Sequence, residues 1–444
     1  MEMARPSMFR RALHGSAVTA GAYAASQILR LGANLILTRL LFPEAFGLMA
    51  LVSVCLVGLA MFSDVGLGPA IARSPHGDEP EFLDTAWTLQ AFRGLMLCLG
   101  TVALAWPAAY FYDAPELQGL LPVAGLGMLI GGLFPTRIET ATRHLLFGRV
   151  TALDLLSQVI GTAAMVALAF AMGSVWALVI GTTIGTLSKL VLMHYGLPGH
   201  RNRFRWDAKA GKELIHFGKW IFLSTACGFV LSQGDKAILG AFLPLDALGV
   251  YNIGYFLASF PMLLGGAITG RVLIPLYRDH HPSASAANFR KLRRLRLGLQ
   301  GGIMAMLAVG ALLGPAVVEV LYDSRYAMAQ AVVVAVVLVQ LPQVIGMTYD
   351  QSALAAGDSR TFFVVMAVRA GVQTLAFLIG VSQAGLMGAL LAQFLSSAFM
   401  HLLVIWMARR NRAWDGALDA GFALAGLAIV ALALGLHGDL LRAL

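Results

Sequence analysis

Among the ionisable side chains within long hydrophobic runs are three arginines, Arg30, Arg93 and Arg369, and two aspartates, Asp64 and Asp154. A charge inside a membrane span is costly, so it faces a polar cavity or a partner. Arginine stays charged and offers a planar fork of donors that matches phosphate or carboxylate oxygens. The three arginines therefore point to recognition of an anionic group. Arg30 is deepest, about 13 residues into its run, or roughly 20 Å at 1.5 Å per residue. Arg93 and Arg369 lie on the order of 12 Å from the near ends of theirs. Snorkelling to the interface is the competing reading, and it weighs more for Arg93 and Arg369 than for Arg30. Asp64, in the run SDVGLG, and Asp154 read first as helix-end or pairing residues and second as ion-coupling candidates.

Signatures of bond chemistry do not occur. The sequence holds no GxxxxGK[ST] loop, no HExxH, no GxSxG and no CxxC. Cys55, Cys98 and Cys227 each lie in an apolar run and read as small packing residues. His280 and His281 adjoin without a third ligand nearby. Neither metal nor cofactor is expected, and the chain does not read as an enzyme.

The elements that carry these charges are membrane helices. Of 444 residues 58% are hydrophobic and 12% charged, against roughly 25% charged in soluble domains. Apolar stretches long enough to cross a bilayer recur along the whole chain. Twelve spans are expected between residues 17 and 407, and 418–437 is long enough for a thirteenth. With the N-terminus inside, 23 of the 32 Lys and Arg fall in inside segments and 4 outside. The other five, Arg30, Arg93, Lys189, Lys219 and Arg369, are within spans. That bias sets a cytoplasmic N-terminus. It also reads the net charge of +9 as topology and lipid contact, with no nucleic-acid partner.

The predicted organisation is a cytoplasmic N-terminus (1–16), a six-helix lobe (17–200), a basic linker (201–213), a second six-helix lobe (214–407) and a basic segment with an extra apolar helix (408–444). A repeat supports two lobes. Residues 36–49, ILTRLLFPEAFGLM, echo 238–251, ILGAFLPLDALGVY, and Gly173, Ala177 and Leu178 echo Gly385, Ala389 and Leu390. Six spans separate the copies in both cases, so the lobes are parallel repeats about an axis along the membrane normal. Pro122, Pro261 and Pro342 are candidate kinks. The stretch NFRKLRRLRLG, 288–298, carries Arg290, Lys291, Arg293, Arg294 and Arg296 with leucines interleaved. It reads as a topology-fixing loop or as an amphipathic helix on anionic lipid at the inner leaflet.

The runs LTRLLFPEAFGLMALV and FSDVGLGPAIAR, and the segment from GKWIFLSTACGFVLSQGDKAILGAF onward, resemble polysaccharide-export (Wzx-type) flippases of the MATE-like multidrug/oligosaccharidyl-lipid/polysaccharide superfamily. The resemblance covers roughly residues 15–410. It implies an all-α polytopic protein with twelve core helices in two pseudo-symmetric bundles, to which this chain adds a thirteenth. It further implies a cationic cavity, to which Arg30, Arg93 and Arg369 would contribute, and flipping of an undecaprenyl-diphosphate-linked oligosaccharide across the bacterial inner membrane. A polysaccharide polymerase and a chain-length regulator are the implied partners. The alternatives are a MATE-type antiporter, for which acids would be expected in the cavity, a lipid-linked peptidoglycan-precursor flippase, and a membrane polymerase or ligase, for which the outside loops are short.

Overall fold

The structure is a computed structural model that describes residues 8–64, 66–144 and 147–444. Residues 1–7 of the expected N-terminal segment and the side chain of Lys219 lie outside the described residues. Every regular element among them is helical. The chain divides into two units, Met1–Phe229 and Val230–Leu444.

The first unit holds α1 (Met8–Leu40), α2 (Pro43–Phe62), α3 (Leu67–Arg73), α4 (Pro80–Phe111), α5 (Leu117–Gly132), α6 (Arg137–Arg143), α7 (Phe147–Met172), α8 (Trp176–Gly196) and the first part of α9 (Ala208–Phe242). Pro43 and Pro80 open their helices, where a missing N–H costs nothing. Helix pairs α4–α5 and α7–α8 pack closely because glycines face each other. A Cβ on Gly94 would lie 2.7 Å from the Gly132 Cα, and one on Gly161 2.7 Å from the Gly185 Cα. Helices α5 and α6 meet at a bend of 56°.

The boundary between units falls within α9, beyond the basic linker, and the linker's hydrogen bonds give the reason. Asp84 on α4 accepts from His200 Nε2 at 2.7 Å and from the Arg203 amide at 3.0 Å. The Thr88 hydroxyl donates to the Arg205 carbonyl and accepts from its amide, at 2.9 and 3.1 Å. Arg137 donates to the carbonyls of His194, Leu197 and His200. The segment 200–207 is thus a strap fastened to the first unit.

The second unit continues with α10 (Leu245–Ala258), α11 (Phe260–Asp279), α12 (Ala286–Leu321), a short 3-10 turn (Ser324–Tyr326), α13 (Ala329–Gly346), α14 (Asp350–Ala355), α15 (Ser359–Arg410) and α16 (Gly416–Arg442). α13 is its core. Val332 to Val339 are buried on every side of the helix, as an all-apolar helix packed by α10, α12, α15 and α16 must be. Pro261 sits in the first turn of α11, beside a 50° bend from α10, whereas Pro122 and Pro342 lie inside α5 and α13.

α15 spans 52 residues, roughly 78 Å if straight. Yet Arg410 Nε, in its last turn, is 3.2 Å from Oδ2 of Asp358, its N-cap. The helix doubles back at Ala384 and Gly385, where the backbone leaves helical geometry. Gly380 and Gly388 let the two legs touch, since a Cβ on Gly380 would overlap the Gly388 carbonyl.

Among the described residues, eight helical stretches are long and apolar enough to cross a bilayer, ten if each bent pair is one crossing. The chain is a multi-pass helical membrane protein. The sequence echoes coincide with the same local events. α1 ends at Leu40 and α9 at Phe242, α2 begins at Pro43 and α10 at Leu245, so both pairs keep the offset of 36 to 238.

Candidate functional site

Arg93, on α4, reaches the end of α2. Its Nε donates to Ser63 Oγ at 3.0 Å and its Nη2 to the Ala60 carbonyl at 2.7 Å. Ser63 is the C-cap of α2, so the guanidinium sits at the negative end of the helix dipole, on an Ala60 carbonyl that also accepts from the Ser63 amide and hydroxyl. Nη1 has no acceptor among the described residues. Next to it, Asp64 accepts from the Gly66 amide at 3.0 Å across a turn that Gly66 makes with φ 61°.

Arg30 is exposed on α1, with Nη1 at 3.5 Å from Gln27 Oε1 one turn earlier. Asp154, on α7, pairs with Lys189 of α8 at 2.5 Å, and the same ammonium lies 5.5 Å from the centre of the Phe134 ring. Arg30, Arg93, Asp64 and Asp154 all belong to the first unit.

Arg369 belongs to the second, on the first leg of α15. Its Nη1 is 3.4 Å from Asp350 Oδ2, while Nε and Nη2 have no acceptor among the described residues. It lines a cavity of about 20 Å³ with Gln343, Gln373, Ser396, Ser397 and His401, room for about one water. As it stands the cavity is polar and cationic but too small for a sugar. Asp350 Oδ1, beside it, is buried with no hydrogen-bond partner among the described residues.

His401 joins this cavity to a charged cluster absent from the sequence expectations. Asp419, in the first turn of α16, accepts at Oδ1 from Tyr349 Oη (2.8 Å) and Arg296 Nη2 (3.3 Å). At Oδ2 it accepts from Trp414 Nε1 (3.1 Å) and faces His401 Nε2 (3.5 Å). Arg296 also donates to Thr348 Oγ1 at 3.0 Å and stacks 4.0 Å from the centre of the Tyr349 ring. The guanidinium is 1% exposed.

This corrects the picture of 288–298 as a uniform surface element. The segment is not a separate in-plane helix but the first turns of α12. Arg296 faces the core, whereas Arg290, Lys291, Arg293 and Arg294 are exposed, Arg293 reaching Asp415 at 3.4 Å. The signal lay in the spacing. Leu292, Arg296, Gln300, Ile303 and Leu307 recur at three- and four-residue intervals and form the buried stripe of α12. A cation on that stripe demanded a buried acid, which Asp419 supplies.

Comparison with known proteins places this architecture. The succinoglycan biosynthesis transport protein ExoT of Rhizobium meliloti is 26% identical over 245 residues, 54% of this chain and 49% of that protein. The chain spans about half the length of the curated relatives it matches. Two solved structures share its fold at low identity. Lipid II flippase MurJ, in an inward closed conformation, has a TM-score of 0.69 at 12% identity over 94% of this chain and 92% of its own. An inward-facing MATE-family multidrug resistance transporter of the MOP superfamily has a TM-score of 0.63 at 15% identity, over 89% and 96%. A model of the family described as "Polysaccharide biosynthesis protein" matches residues 36–331, two-thirds of a chain whose helices follow the fold of those transporters, and the chain belongs to that family.

Proposed function

We propose that this protein is a flippase that moves an undecaprenyl-diphosphate-linked oligosaccharide across the bacterial inner membrane, for exopolysaccharide, O-antigen or capsule assembly, without making or breaking bonds. In this reading the N-terminus is cytoplasmic and twelve helices form two six-helix lobes, 17–200 and 214–407. The lobes rock about a cleft to give alternating access, and α16 is a thirteenth span. The family membership and the transport role named for the Rhizobium relative support it.

The observation that carries the cargo assignment is Arg369. A guanidinium within a membrane helix is costly to keep, and this one has a single carboxylate oxygen against it, with two nitrogens left to donate. A diphosphate supplies oxygens that match that fork. Arg93, with Nη1 unengaged, and the exposed Arg30 are assigned to the same head group. The sugars occupy the hydrated cleft while the polyprenyl tail stays in lipid. Asp154 and Asp64 serve as pairing and turn-forming groups, which their contacts with Lys189 and the Gly66 amide favour over ion coupling. A polymerase and a chain-length regulator would consume the product on the far side.

The test is reconstitution. Purified protein in proteoliposomes is given a lipid-diphosphate oligosaccharide labelled on its sugar. Protein-dependent appearance of label in the opposite leaflet is the expected result. Efflux of an organic cation without movement of the label would replace this reading with that of an antiporter.

A further inference from the structure

The five basic residues at the start of α12 do not share one environment. Arg293 and Arg296 are held by Asp415 and Asp419. Arg290 and Arg294 have no carboxylate within 4 Å among the described residues, and Lys291 contacts only the His280 ring, at 3.1 Å from Nε2. Arg290 and Arg294 are one turn apart on the same face, and like charges so spaced destabilise a helix unless an anion lies between them. Ala287, Lys291 and Leu295 form the adjacent stripe.

Together with Leu276 of α11 these five side chains line an open groove of about 710 Å³. Three of its lining side chains are apolar and three are cationic.

We propose that this groove binds the phosphate of an anionic phospholipid. Charge complementarity sets the occupant. A lipid brings a phosphate for Arg290, Lys291 and Arg294 and, directly below it, glycerol and acyl carbons for Ala287, Leu276 and Leu295. A soluble phosphate would leave those apolar side chains uncovered. The site stands at the end of α12 that the excess of basic residues assigns to the cytoplasmic leaflet, where anionic lipids attract such clusters.

The test is lipid retention by the full chain in detergent, read by native mass spectrometry after mixing with equal amounts of phosphatidylglycerol and phosphatidylcholine. Wild-type protein is expected to retain phosphatidylglycerol preferentially. Arg290→Ala/Arg294→Ala is expected to lower that preference about 10-fold or more, from the loss of two surface cations. Arg290→Lys/Arg294→Lys, which keeps the charges, and Arg205→Ala, on another exposed basic residue, should both retain it. An unchanged preference in the double alanine variant overturns the site. So does displacement of the lipid by inorganic phosphate, which would assign the groove to a soluble anion. The readout is binding and not transport, so it stands whatever cargo the protein moves.

Discussion

The Arg296 guanidinium and the Asp419 carboxylate, 123 residues apart in sequence, meet at 3.3 Å in the interior of the second unit. The pair joins α12 to α16, Tyr349 and Trp414 donate hydrogen bonds to the carboxylate, and His401 faces it at 3.5 Å. The helix beyond the expected twelve is therefore built into the core. Breaking a buried pair strands a charge, at a cost of about 3–5 kcal/mol. Asp419→Ala should lose that much in denaturant unfolding in detergent, and Arg296→Met with Asp419→Leu should recover most of it. A loss in the single variant no larger than that of a surface substitution, about 0.5 kcal/mol, would show that the pair does not hold α16.

Gly173 and Gly385, 212 residues apart, both turn the chain with a positive φ, 58° and 56°, and at Gly385 ψ is −142°. Each makes the turn between two helices. No atom lies within 4 Å of a Cβ built on either, so alanine would meet no clash, only the cost of a backbone conformation that other residues rarely adopt, about 1–3 kcal/mol. Both Gly→Ala variants should melt at lower temperature, and Gly385→Asn should give little relief, because a ψ of −142° lies outside the left-handed helical region that asparagine tolerates. Equal melting of wild type and Gly385→Ala would mean the turn is not held in that conformation.

These glycines also show what was legible. Gly173–Ala177–Leu178 and Gly385–Ala389–Leu390 could be matched in sequence because a turn requires glycine and the following helix buries small and apolar residues at the same offsets; Ala177 and Ala389 are both fully buried. The spans were legible for the same reason, since lipid demands long apolar runs. The charged cluster was not. Arg296 looks like its neighbours Arg293 and Arg294 until the helix is carried through 296 as one element, and its partner lies on a helix whose packing position the sequence leaves open. The strap at 200–207 was similarly hidden, because much of its fastening uses its backbone amides and carbonyls, which every residue possesses.

Asp358 caps α15 and is tied to its far end. Its Oδ1 accepts from the Thr361 amide at 3.2 Å and its Oδ2 meets Arg410. The bonds to Thr361 first, and Arg410 after them, hold its carboxyl below the ordinary value. A carboxyl lowered on folding stabilises the fold above its unfolded pKa, near 4, and that contribution fades as pH falls through the lower folded value. The difference in melting temperature between wild type and Asp358→Asn should therefore be present at neutral pH and shrink as pH falls below about 4. A difference that grows on acidification would contradict the cap.

The arginines can be separated by asking what each loses as alanine. Arg93 bonds to the end of α2, so Arg93→Ala should lower thermal stability together with transport, by the 0.5–2 kcal/mol or so that a lost cap costs. Arg369 keeps two nitrogens free of protein acceptors, and Arg30 is exposed on α1. Arg30→Ala should therefore melt nearly as wild type, Arg369→Ala should melt somewhat lower because it leaves Asp350 without its cation, and both should insert while abolishing movement of a labelled lipid-diphosphate oligosaccharide. Arg369→Lys keeps the charge but loses the planar fork, so it should transport at an intermediate rate if the fork contacts phosphate. Full transport by Arg369→Ala would reduce that residue to a partner of Asp350. Full transport by Arg369→Lys beside none in Arg369→Ala would mean that charge alone is read, as expected if the guanidinium attracts the head group across water without touching it.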